Sequence, residues 1–95
     1  MPGRSAYRKG AHRERRSAEF LELAGYTVHR IAGSHGEWDL IAIDAVGGLL
    51  VQVKSRDWPG TLERQALAEY IAPPNFRKVI HRWRDGAREP EVQRL

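Results

Sequence analysis

Apolar residues recur three and four apart at Ala18, Phe20, Leu21 and Ala24. That spacing lines one face of a helix and predicts a first helix over 6–24, with Ser5 as its cap and Gly25 just past its end. Alternation follows in "YTVHRIA" (26–32), then a turn at "GSHG" (33–36). A second strand is predicted over 38–44 and a third over 49–55, joined by a hairpin turn at "VGG" (46–48). Pro59 and Gly60 break the chain. A second helix is predicted over 62–72, capped by Thr61, with Leu62, Ala66, Leu67 and Tyr70 inward, and "APPN" stops it. "FRKVIHRWR" (76–84) and "EVQRL" (91–95) read as two further strands. The order α-β-β-β-α-β-β points to an α/β fold, a mixed sheet flanked by helices, in one domain over 1–95.

Four polar residues interrupt these apolar elements. Asp39 lies within the second predicted strand, on the face of Ile41 and Ile43. Gln52 and Lys54 share one face of the third, although the chain has only three lysines. Centring the hairpin on Gly47 and Gly48 gathers these three at one end of it. Tracing the helix stripe back from Leu21 and Ala18 reaches Glu14. A carboxylate at the end of a core-facing stripe needs a partner, and Lys54, an arginine or a metal ion would serve. Oxygen donors beside a lysine suit Mg²⁺, which can activate water and stabilise charge on a phosphate. A structural Asp39–Lys54 ion pair with a solvated Gln52 is the plainer alternative.

Composition narrows the partner. The net charge is +4 and the pI is near 10.0. Residues 1–16 carry Arg4, Arg8, Lys9, Arg13, Arg15 and Arg16 against Glu14 alone, and a second basic cluster comprises Arg77, Lys78, Arg82 and Arg84. Clustered arginines favour phosphate, so the charge fits either a polyanion such as nucleic acid or a solvated basic face. Together with the oxygen donors it suggests phosphodiester hydrolysis. The chain has no cysteine, which excludes disulfides and thiolate chemistry. No apolar run is long enough for a membrane span, Asp44 interrupting the best candidate, and no apolar signal core follows the basic N-terminus. The histidines show no metal-ligand spacing.

"YRKGAHRERR" (7–16), "GYTVHRIAGSHGEWDLIAID" (25–44) and "LLVQVKSR" (49–56) resemble the archaeal-type (Hjc-like) Holliday junction resolvases, within the PD-(D/E)xK nuclease superfamily. The resemblance implies a PD-(D/E)xK nuclease-like fold and a homodimer. It implies an endonuclease that cuts opposed strands of four-way DNA junctions with Mg²⁺, Mn²⁺ substituting, and no organic cofactor. It also implies a cytoplasmic site of action, or the host-cell cytoplasm if the chain is viral. By this resemblance Asp39 is the metal-binding aspartate, Glu14 supports the metal site, Lys54 is the catalytic lysine, and Arg30 and Ser34 contact the DNA backbone near the cut. Arg15 matches the basic residue after the helix glutamate. Arg8 lies in the matching basic helix, and charge and position add Lys9, Arg13 and Arg56 as DNA contacts. Gln52 departs from the pattern, which usually has glutamate there. It offers a metal one carbonyl oxygen and no charge, and Glu37, two residues before Asp39, is a candidate replacement. Two other readings are a related nuclease that nicks flaps or duplex, and a junction-binding module weakened in catalysis.

Overall fold

A computed structural model describes residues 2–31 and 37–95, the side chains of residues 2–9 excepted. The elements are α1 (Pro2–Leu23), β1 (Thr27–Arg30), β2 (Leu40–Ile43), β3 (Gly48–Lys54), α2 (Thr61–Glu69), β4 (Phe76–Arg82) and β5 (Glu91–Arg94). The predicted order holds. Helix α1 starts upstream of the expected Ser5 cap, with Pro2 in its first turn, where the missing N–H costs nothing. It ends in a Schellman motif. Gly25, at φ 100°, donates to the Glu22 carbonyl, and Tyr26 donates back to Leu21.

The five strands lie in sequence order, β1-β2-β3-β4-β5. All neighbours are antiparallel except β3 and β4, which are parallel because α2 carries the chain across. The sheet is therefore mixed, as expected. Side-chain alternation along β2 and β3 produces two cores. On the α1 face Leu21 packs with Leu40, Ala42, Leu49, Val51 and Val79. On the α2 face Leu67 packs with Trp38, Leu50 and Ile80. Leu67 is fully buried, whereas Leu62, expected inward, is 82% exposed and Thr61 supplies no side-chain cap. Ala66 is also exposed, and Tyr70 meets Trp38 only edge-on.

The hairpin register differs from the expectation. Leu40 pairs with Val51 and Ile43 with Gly48, so the turn centres on Ala45 and Val46. Asp44 sets it: its Oδ1 accepts the N–H groups of Val46 and Gly47 at 2.8 and 2.7 Å. Gly47 serves a different purpose, since a Cβ there would collide with the Asn75 carbonyl oxygen. The register shift keeps side-chain faces unchanged and brings Asp39 beside Gln52. Among the described residues no helix is long and apolar enough to cross a membrane.

Candidate active site

The α2-side face of β2 and β3 ends in polar residues where its apolar core runs out. Asp39 lies just before β2, extending the face of Ile41, and Gln52 and Lys54 extend the face of Leu50. Backbone pairing holds Asp39 in place. Its N–H donates to the Val51 carbonyl at 2.8 Å, and its Oδ2 accepts the Val53 N–H at 2.8 Å. Burial lifts the Asp39 carboxyl above its ordinary value, and the charges of Glu14 and Glu63 lift it further; the Val53 N–H and Lys54 oppose them. Asp39, Glu14, Lys54 and Glu63 thus share one electrostatic neighbourhood.

Lys54 pairs with Glu63 rather than with Asp39. Its Nζ lies 2.6 Å from Glu63 Oε1, which also accepts Gln52 Nε2 at 3.2 Å. The plain Asp39–Lys54 ion pair is therefore not what the chain builds. The Lys54 hydrogen bond holds the Glu63 carboxyl below its ordinary value, and Gln52 adds to the effect. Glu63 was missed in the sequence. It stands in the first turn of α2, four residues before Leu67, and that i,i+4 spacing turns both toward the sheet. Nothing in the sequence marks it, since an acidic residue in a helix's first turn is ordinary.

Glu14 finds its partner in Arg30. Arg30 Nη2 reaches Glu14 Oε1 and the Ala11 carbonyl, both at a long 3.4 Å. Arg30 pairs with Leu40 in the sheet, which places it on the α1 face. The site therefore straddles the sheet edge, with Glu14 and Arg30 on one side and Asp39, Gln52 and Lys54 on the other.

The proposed DNA contacts divide. Arg15 and Arg56 are exposed, and among the described residues Arg15 bonds His12 at 3.0 Å. Arg13 is corrected: it is 6% exposed and bonds Asp85 at 2.9 Å, because its helical position points into the fold beside Ser17. Ser34 lies outside the described residues, as do the side chains of Arg8 and Lys9. Glu37 is half-buried and forms no bond with Asp39 or Lys54. The second basic cluster is largely consumed by the fold. Lys78 Nζ binds the carbonyls of Leu67, Ala68 and Tyr70 at the end of α2, and Arg82 and Arg84 both pair with Glu91. Arg82 also stacks on Trp58, 4.7 Å from the ring centre.

The donors at this edge are all oxygens, which suits a hard cation such as Mg²⁺ and not a soft one. Gln52 spends its nitrogen on Glu63, leaving its carbonyl oxygen to accept. Among the described residues no three acidic or histidine groups already converge to grip an ion. The set fits a cation that keeps several waters and takes one or two carboxylates together with a substrate phosphate.

Comparison with known proteins bears on the family and the fold. The family model for the archaeal Holliday junction resolvases (hjc) matches residues 5–68. Among solved structures, the fold resembles the Hjc Holliday junction resolvase of the archaeal hyperthermophile Archaeoglobus fulgidus, with a TM-score of 0.65 and 19% identity over 86% of this chain and 71% of that one. No curated protein matches the sequence.

Proposed function

The chain belongs to the archaeal Holliday junction resolvase family, and on that premise we propose that it cuts four-way DNA junctions as a metal-dependent endonuclease, leaving paired symmetric nicks. The observation that carries this reading is the gathering of Asp39, Gln52 and Lys54 at one sheet edge, with Glu14 in electrostatic range. Asp39, Gln52 and Glu14 would hold Mg²⁺, or Mn²⁺ in its place. The bound cation would supply an activated water and offset charge on the scissile phosphate.

The chain's own residues do the rest. The Val53 N–H fixes one Asp39 oxygen and so orients the carboxylate. Lys54 brings an ammonium to the developing phosphate charge, exchanging Glu63 for the phosphate as it does so. Exposed Arg15, Arg30 and Arg56, with Arg8, Lys9 and Ser34, take up backbone phosphates. Such contacts position the DNA without reading its sequence. A homodimer would bring two such sites to a two-fold junction, each chain acting as one nuclease domain.

The test is a labelled four-way junction incubated with Mg²⁺ and with Mn²⁺. Paired symmetric cuts are expected, and Asp39→Asn should abolish them while sparing junction binding. Absence of cuts with every metal, or normal cutting by Asp39→Asn, would refute the reading. The neutral Gln52 favours one competing reading, a junction-binding module without chemistry. It predicts salt-dependent binding and no product in the same assay. Flap and duplex competitors in that assay measure selectivity for the junction.

A further inference from the structure

The strands bring one carboxylate, Asp39, to the sheet face that bears Lys54, because position 52 is an amide. Even with Glu14 reaching it from the α1 side, a divalent cation held on this face by one carboxylate and one amide oxygen would be bound weakly, since charge count tunes affinity. A second carboxylate does reach this face, from outside the sheet. Glu63 projects from the first turn of α2 and meets Lys54 Nζ at 2.6 Å and Gln52 Nε2 at 3.2 Å. Its direction is set by packing, because Leu67, one turn later, is fully buried against Leu50 and Ile80. Its charge is favoured by the helix N-terminus. Glu37, the other acidic residue near Asp39 in sequence, makes no such contact.

We infer that Glu63 is a further acidic ligand of the divalent-cation site, beside Asp39 and Glu14, supplying from α2 the charge that position 52 does not supply from β3. Lys54, which pairs with Glu63, passes to the phosphate when cation and DNA bind. Gln52 then acts as a bracket, its nitrogen on Glu63 and its carbonyl oxygen turned to the cation. The inference rests on the metal-dependent nuclease reading above and extends it to a residue outside the matched strand motif.

The test titrates the whole 95-residue chain with Mn²⁺, without DNA, and follows the free ion by electron paramagnetic resonance. Glu63→Gln is nearly isosteric at a 42%-exposed side chain, so its fold should survive, and circular dichroism checks this. It should weaken Mn²⁺ binding about tenfold or more, the scale on which side chains tune metal sites. The double variant Gln52→Glu/Glu63→Gln moves the carboxylate to the strand and should restore affinity to near wild type. A merely structural Glu63–Lys54 pair predicts neither the loss nor the rescue. Unchanged affinity in Glu63→Gln, with binding lost in Asp39→Asn, overturns the role of Glu63 and leaves the functional reading standing. Unchanged affinity in Asp39→Asn, or no Mn²⁺ binding by the wild type, removes the metal centre itself and both readings with it.

Discussion

Replacing His81 should change how the protein responds to acid. His81 lies on the α1 face of β4, 1% exposed, edge-on to Phe20. Its Nδ1 is 3.0 Å from Ser17 Oγ, and that oxygen also accepts the Trp83 indole N–H at 2.7 Å. With neutral His81 the hydroxyl donates to Nδ1 while accepting from Trp83, and all three groups are satisfied. With protonated His81, Nδ1 becomes a donor and the Ser17 proton loses its acceptor. Burial pushes the imidazole down from the ordinary 6.5 to about 4. Because the folded value is depressed, the unfolded chain takes up the proton first as pH falls. The stabilisation is therefore complete above pH 6.5 and is lost as pH falls from there toward 4. The fall from 6.5 to about 4 corresponds to roughly 3 kcal/mol in full, most of it lost between pH 7 and pH 4.5. The assay is urea unfolding at those two pH values for wild type and for His81→Asn, whose amide oxygen can accept from Ser17 without titrating. His81→Asn should start about 1–2 kcal/mol less stable at pH 7 through lost packing. It should then lose roughly 2–3 kcal/mol less than wild type on acidification. Carboxylates contribute to both proteins and cancel in the comparison. Equal losses in the two would refute the argument.

Three further outcomes follow from the fold. Leu67→Ala should cost about 2–5 kcal/mol in urea unfolding, because it empties the centre of the α2-side core, and it should slow junction cleavage by releasing the helix that bears Glu63. Gly47→Ala should cost about 2–4 kcal/mol, since the added methyl meets the Asn75 carbonyl oxygen; calorimetry would show a large fall in Tm. Lys78→Met should cost about 1–2 kcal/mol by leaving the carbonyls at the end of α2 without their cation, and hydrogen exchange should rise first at Leu67 to Tyr70.

Elements whose signals are local could be read directly. The stripe through Ala18 and Leu21 and the glycine after it gave α1 its buried face and its end. Asp39, Gln52 and Lys54 stood out because polar residues on apolar strands are costly without a purpose. Their shared face survived an incorrect turn position, since the true register pairs residues of the same parity. What could not be read depends on partners far along the chain. Ser17, His81 and Trp83 lie 64 and 66 residues apart and follow no periodicity. Lys78, Arg82 and Arg84 looked like a phosphate-binding cluster, yet carbonyls of α2 and Glu91 absorb them. Arg13 looked like its basic neighbours until the helix's rotation against the sheet buried it. Glu63 carried no mark because its meaning comes from how α2 crosses the sheet.

That crossing makes position 63 an address as well as a residue. Leu67 locks the rotation of α2, and the six residues from Ser55 to Gly60 set where the helix begins. Whatever side chain occupies position 63 is delivered to the same edge, beside Lys54. One residue added between Ser55 and Gly60 would force a choice. Either Leu67 leaves its pocket, or the helix turns by about 100° and a different residue arrives at the edge. The linker thus works as a ruler, and a cysteine-attached spin label at the exposed neighbouring position 62 would report the distance to a bound Mn²⁺ without touching Glu63 or either strand of the hairpin.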